Sequence, residues 1–294
     1  MTRIQNGRFF VGAITAGLMA LGAAVPASAE QYEPDAAAVA LVPAKIREAG
    51  TLRVAMPDQG KPFNYQDGDE IKGMEPDMAR AIAETLGLTP QITLVPFTAA
   101  LPGLQSDKFD VSFGQFYIRP ERLEVVDFVT DWSTYTVFLT LEEKGLNPTK
   151  VPDLCGLSVG AMQGTIQYDN LEKNADKCDS GKIDVHAFPS MANAVLALKS
   201  GRVDVVFVDP DISREARKVD ASLKESGKLN RGILGIAISR DEKASGLANA
   251  IQAALVHLNE TDDYKKILDE HETGYGAITD FEIYDQNSTP PTYN

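Results

Sequence analysis

The sequence predicts an α/β protein of two lobes with a cleft between them. Short apolar strand signals alternate with helix signals along most of the chain. The stretch 203–208 is apolar apart from Asp204, as expected of parallel sheets covered on both faces. The alternation falls into two blocks, 52–136 and 137–232, and the strand and two helices that follow are too few for a third domain. Returning that remainder to the first block is the economical arrangement. Two crossings then make a hinge, and the carboxyl ends of the strands, where open α/β sheets bind ligands, face one another.

The elements follow in order. A helix over 35–48 is interrupted by Pro43 and ended by Gly50. A strand at 52–56 leads into a Pro-, Gly- and Asp-containing loop over 57–69. An amphipathic helix over 75–86 stops at Gly87; a strand at 91–96, a helix at 98–106 and a strand at 110–116 follow. Residues 125–128 and 134–140 are extended. The second block repeats the pattern: strands at 157–162, 184–188 and 203–208, with helices at 165–175, 191–199 and 211–218. A strand at 233–239 and helices at 246–258 and 263–270 close the series. The expected organisation is a leader (1–29), an N-terminal helical extension (30–51), lobe one (52–136 and 233–284), lobe two (137–232) and a tail (285–294).

The leader has its own signature. Arg3 and Arg8 precede an uncharged stretch over 9–25, and Ala27-Ser28-Ala29 is a small-x-small cleavage site. This is the layout of a secretory signal peptide, and it places the mature chain in the periplasm. The alternative is an uncleaved membrane anchor, for which the stretch is short. Cleavage sharpens the net charge from −14 to −16, because the leader carries two arginines and no acid. With no basic face, nucleic acid is excluded as a partner. Export also bears on the two cysteines: an oxidising compartment favours a Cys155–Cys178 disulfide, two buried thiols being the alternative.

Catalytic motifs are absent from the sequence. There is no nucleophile elbow, phosphate loop or His-Glu-x-x-His, and His186, His257 and His271 lie in different elements. No metal or cofactor is expected. Four features suit ligand binding instead. Tyr117 through Arg122 follow the strand that ends in Gly114-Gln115, where an arginine can grip a carboxylate; an ion pair with Glu121, Glu124 or Asp127 is the competing use. Gln163-Gly164-Thr165 stands between strand and helix, as an anion site or an ordinary cap. Asp209 follows the apolar strand and suits an ammonium, with a helix cap as the other role. Phe63, Tyr65 and Phe97 can wall a ligand, although lobe core is the favoured use of Phe63.

Taken together these segments resemble the family 3 periplasmic solute-binding proteins. The resemblance is carried by Leu52-Arg53-Val54-Ala55, Pro62-Phe63, Gly73-Met74-Glu75-Pro76-Asp77 and Leu101-Pro102-Gly103-Leu104-Gln105-Ser106, then by Pro120-Glu121-Arg122 and Val126-Asp127-Phe128. Asp153 through Gly160, Gln163-Gly164-Thr165, Ala197 through Asp204 and Asp209 continue it, over about 40–280. Cys155 and Cys178 resemble a subgroup with a disulfide in the second lobe. The resemblance implies a type II periplasmic-binding-protein fold and a monomeric receptor of an ABC importer, whose partners are a small ligand and a membrane permease. It assigns the ligand α-carboxylate to Arg122 with Gly164, Thr165 and Ile166, and the α-ammonium to Asp209. Phe97, Phe63, Gln115, Tyr117 and Asp58 complete the expected lining. The sequence departs from the family where Gly60 replaces an aromatic, Ile166 a threonine, and Gln115 and Tyr117 small hydroxyl residues. The expected activity is binding, not catalysis. A cyclohexadienyl dehydratase-like enzyme, with an acid from the 58–69 loop, and a ligand-presenting sensory protein are the alternatives.

Overall fold

The computed structural model describes residues 32–179, 181–241 and 244–293. The expected leader lies outside them. Among the described residues no helix is long and apolar enough to cross a membrane.

Pro43 divides the first helical stretch into α1 (Ala36–Leu41) and α2 (Ala44–Ala49). Proline lacks the amide a continuous helix would need. Asp35 caps α1 by accepting from the Ala38 amide at 2.8 Å, and Gly50 ends α2 in the left-handed region at φ 66°. Strand β1 (Thr51–Pro57) follows. The predicted loop contains a small hairpin, β2 (Tyr65–Asp67) and β3 (Glu70–Lys72), turned at Gly68-Asp69. Then come α3 (Met74–Thr85), β4 (Thr89–Val95), α4 (Phe97–Gln105), β5 (Val111–Tyr117) and the single turn α5 (Pro120–Leu123).

The 15-residue strand β6 (Asp127–Leu141) joins the two pieces that the sequence pattern separated. Polar Asp131 and Ser133 interrupt its apolar run, but every second residue there still faces the core. After it come β7 (Ser158–Met162), α6 (Ile166–Asn174), β8 (Asp184–Phe188), α7 (Met191–Lys199), β9 (Val205–Val208) and α8 (Pro210–Val219). Strand β10 (Leu223–Ile238) begins ten residues before the predicted start at 233. Its first half reads as a loop because it carries Gly227, Gly232 and four charged residues, and its pairing with β6 is broken by register shifts. Helices α9 (Leu247–Glu260) and α10 (Asp263–Glu270) and the short β11 (Ile283–Tyr284) complete the chain.

The sheet order is β4-β1-β5-β10-β6-β9-β7-β8, with β11 on β6. Parallel pairing holds in the flanks, where β1 joins β4 and β5, and β7 joins β8 and β9. The expectation of parallel sheets throughout is corrected at the centre. There β10 runs antiparallel to β5 and β6, and β6 antiparallel to β9. These two long strands carry the chain between the flanking half-sheets, and positions 136–137 and 232–233 lie within them. Each half has its own apolar cluster. Leu104, Phe116 and Phe128 lie in one, and Phe138, Leu171 and Phe207 in the other.

Cys155 and Cys178 form a disulfide, with Cα atoms 5.7 Å apart. It closes the loop around β7 and α6 beside the second cluster. Serine at both positions is expected to cost about 3 kcal/mol of unfolding free energy on the loop-entropy model. A urea titration checks this, and an unchanged midpoint would contradict it.

Candidate functional site

The carboxyl ends of the parallel strands converge on one narrow pocket. Gln59 follows β1, Phe97 follows β4, and Gly114, Gln115 and Tyr117 stand at the end of β5. From the other half-sheet come Met162 and Thr165 after β7, Met191 after β8 and Asp209 after β9. Arg122 in α5 and Ile166 and Gln167 in the first turn of α6 close the lining. Every flanking parallel strand therefore contributes, as the strand-end rule requires.

Arg122 is 6% exposed and makes no ion pair among the described residues. Its guanidinium donates to the Tyr117 carbonyl at 2.9 Å and, across to the other half-sheet, to the Gly164 carbonyl at 3.0 Å. It lies over the rings of Phe116 and Phe97 at 5.3 and 5.8 Å. Burial and the adjacent Arg119 push its pKa below the ordinary guanidinium value. Asp209 is 5% exposed and also has no cationic partner among the described residues. It occupies the cap position of α8, yet its side chain makes no capping bond. It accepts instead from the Gln167 amide at 3.0 Å. Burial, followed by the charge of Asp211, raises its pKa to about 7.

Thr165 takes the capping role. Its hydroxyl accepts from the Tyr168 amide at 3.3 Å and donates to the Met162 carbonyl at 2.7 Å. Gly164 has φ 81°, and a β-carbon there would stand 3.3 Å from Thr98 and 3.5 Å from Phe97. The loop of one half-sheet thus presses on the start of α4 in the other, and the left-handed φ favours glycine there.

Of the residues expected from sequence, the structure brings Arg122, Asp209, Thr165, Ile166, Phe97, Gln115 and Tyr117 to this pocket, with Gly164 against Arg122. It does not bring Phe63 or Asp58. Phe63 is fully buried against Trp132, ring centres 5.8 Å apart, so its use is core packing. Asp58 is exposed to solvent. Arg119, the other arginine of the Tyr117–Arg122 segment, pairs with Glu121 at 3.1 Å and with Asp169 of α6.

Several lining residues were not anticipated. Gln59, Met162, Gln167 and Met191 carry no local signal beyond adjacency to strand ends. Tyr293, in the expected tail, reaches the edge of the site. Its hydroxyl accepts from the Ile118 amide at 2.7 Å and donates to the Ile233 carbonyl at 3.0 Å, and its ring lies 4.8 Å from that of Tyr117. Gly232 is required beneath it, since a β-carbon there would fall 2.3 Å from the Tyr293 ring. Behind Gln115, buried Glu75 bonds to Asn64 and accepts from the Gln115 amide; burial raises its pKa to about 8. The three histidines each face an acid: Asp184, Asp35 and Asp77. No acid–histidine–cysteine cluster able to hold a metal occurs among the described residues.

Two half-sheets with their carboxyl ends over one pocket define a cleft-type binding protein. The family model for bacterial extracellular solute-binding proteins, family 3, matches residues 52–273, and the chain belongs to that family. Its relatives include the arginine-binding protein ArgT of Corynebacterium glutamicum, 27% identical over 87% of this chain and 86% of the relative. The L-cystine-binding protein TcyJ of Escherichia coli is 28% identical over 74% and 77%. Among solved structures, an arginine-binding protein from T. maritima superimposes with a TM-score of 0.72 at 26% identity, covering 80% of this chain and 99% of the other. An ancestral arginine-binding protein gives 0.69 at 30% identity, covering 76% and 98%. An ancestral amino acid-binding precursor of cyclohexadienyl dehydratase, at 23% identity, bears on the fold alone. The fold is the two-lobed type II arrangement, and the chain is a solute-binding protein rather than an enzyme.

Proposed function

We propose that this protein is the periplasmic receptor of an ABC importer and binds an amino acid or related small zwitterion in the pocket. Lobe one comprises 52–136 and 233–284, lobe two 137–232, and the two close on the ligand about β6 and β10. Arg122 grips the α-carboxylate, helped by Gly164, Thr165 and Ile166 at the start of α6. Asp209 receives the α-ammonium, and Phe97 forms a wall. The closed receptor, a monomer, then delivers its cargo to a membrane permease.

The observation that carries this reading is the pair of buried, opposite charges, Arg122 and Asp209, each without a counter-ion among the described residues. A buried charge is costly unless paired. One zwitterion supplies both partners, and because they come from opposite half-sheets it favours the closed state over the open one. The relatives named for arginine and L-cystine support an amino acid as the class of ligand. The leader signature and the disulfide support export.

A thermal-shift screen of the twenty amino acids on the mature chain tests this. A ligand at 100 times its Kd adds about 2.7 kcal/mol. For a chain of this size that is a rise of roughly 5 °C or more. No rise with any amino acid would contradict the reading.

A further inference from the structure

The pocket holds polar groups that the clamp does not use. Gln59 and Tyr117 are 3% and 4% exposed. The Gln59 side-chain N–H₂, both polar atoms of the Gln115 amide and the Tyr117 hydroxyl are inaccessible to solvent and have no hydrogen-bond partner. All three residues line the pocket. A buried polar group left unpaired costs about 1–3 kcal/mol. Four such atoms around one pocket are therefore unfavourable unless a ligand meets them.

Their placement is built into the backbone. Gln115 sits at φ 51°, a left-handed conformation that a non-glycine residue adopts at a cost. The Gln115 backbone N–H, not its side chain, is held by Glu75. Asn64, which donates to Glu75, accepts from the Gln59 backbone amide at 3.0 Å. One buried network thus positions both glutamines.

The charges present exclude two ligand classes. Among the described residues, Arg122 and Asp209 are the only charged ones in the lining. Both are committed to the α-groups under the reading above. Arg119 is tied to Glu121 and Asp169. A cationic side chain would find no free carboxylate in the lining, and an anionic one no free cation. Either would be desolvated without a partner, which costs far more than leaving a neutral group short of one bond. An apolar side chain would leave the glutamines and the tyrosine unsatisfied.

We infer that Gln59, Gln115 and Tyr117 select an amino acid whose side chain is uncharged and both donates and accepts hydrogen bonds, as a carboxamide does. This inference rests on the amino-acid-binding reading of the same pocket, and it separates this chain from its arginine-binding relatives.

Titration calorimetry with L-glutamine, L-asparagine, L-arginine, L-glutamate and L-leucine tests it on the wild type, Gln115→Gly and Gln59→Leu. Glycine accepts a positive φ freely, so Gln115→Gly removes the amide without backbone strain. In the wild type one of the two carboxamide amino acids is expected to bind at least 100-fold more tightly than the other three probes. Each variant is expected to lose at least tenfold for that amino acid while keeping its melting temperature within a few degrees. Tighter binding of arginine, glutamate or leucine, or variants that bind the carboxamide like the wild type, would overturn the inference and leave the zwitterion clamp standing. Absence of saturable binding by all five probes, together with a flat twenty-amino-acid thermal screen, would instead remove the reading beneath it.

Discussion

Replacing Arg122 by alanine is expected to weaken amino-acid binding at least 100-fold. Arg122 spans the two half-sheets through its bonds to the Tyr117 and Gly164 carbonyls, so its position is fixed before ligand arrives. A buried, charge-assisted contact with a carboxylate is lost at a cost of about 2–5 kcal/mol when one partner is truncated. The stability of the unliganded chain should move much less, because truncation also removes a buried cation that has no counter-ion. Arg122→Lys keeps the charge and loses the planar fork, so an intermediate affinity is expected. Calorimetry of the three proteins, with their melting temperatures without ligand, separates the roles. Unchanged affinity in Arg122→Ala would remove Arg122 from the clamp.

The second large effect concerns Asp209 and pH. Its carboxyl is raised to about 7, first by burial and then by the charge of Asp211. Gln167 donates to it, and Glu75, Tyr117 and Tyr275 are the other titratable groups whose charges couple to it. In the unliganded chain the folded state keeps a proton that the unfolded state releases above about 4. Stability from this group is therefore expected to fall as pH rises from about 4 to 7 and to level off beyond. Ligand binding runs the other way, since the ammonium pairs with the ionised carboxylate. Affinity should climb between pH 5 and 7, by up to about tenfold per unit, and then flatten. Glu75, raised to about 8, adds repulsion when it ionises and resists the same step. Asp209→Asn is expected to weaken binding about 100-fold at pH 8 and to abolish most of the slope. An Asn variant with the wild-type slope would assign the pH dependence elsewhere.

Sequence alone made the outline of the fold and half of the site legible, and the reasons are physical. Parallel strands buried on both faces are written as apolar runs, and the residues just beyond them are where ligands gather. That rule finds the Tyr117–Arg122 segment, Thr165 and Asp209 without reference to three dimensions. The family resemblance singles out Arg122 within its segment, and Phe97 is read as an aromatic at a helix start. The rule does not see β6 and β10 as continuous strands. Their middle segments leave one half-sheet for the other, and polar Asp131, Ser133, Lys228 and Arg231 erase the alternation. Nor does it find Gln59, in a loop rich in turn residues, or Gln167, which reaches Asp209 only because α6 and α8 start side by side at neighbouring strand ends. Tyr293 is beyond local reasoning altogether, since it reaches Ile118 across 175 positions of chain. Phe63 errs in the opposite direction: an aromatic beside a proline in a loop suits a ligand wall, but its contact with Trp132 makes it core.

The acidity of the chain, net −14, also reads differently beside the structure. Many of its lysines and arginines sit in surface pairs such as Lys218–Glu272 and Arg240–Asp127, which add little to stability. The charges assigned to function, Arg122 and Asp209, are buried and make no ion pair among the described residues; buried Glu75 behind them is held by Asn64 instead.

The central claim is that one zwitterion satisfies Arg122 and Asp209 together. Titration calorimetry of the amino acid that raises the melting temperature most, set against its α-carboxamide, tests it most directly. The account predicts a one-to-one complex with the acid and at least a 100-fold loss with the amide, which keeps the ammonium and the side chain but offers Arg122 no charge. Equal affinity for the two would contradict it.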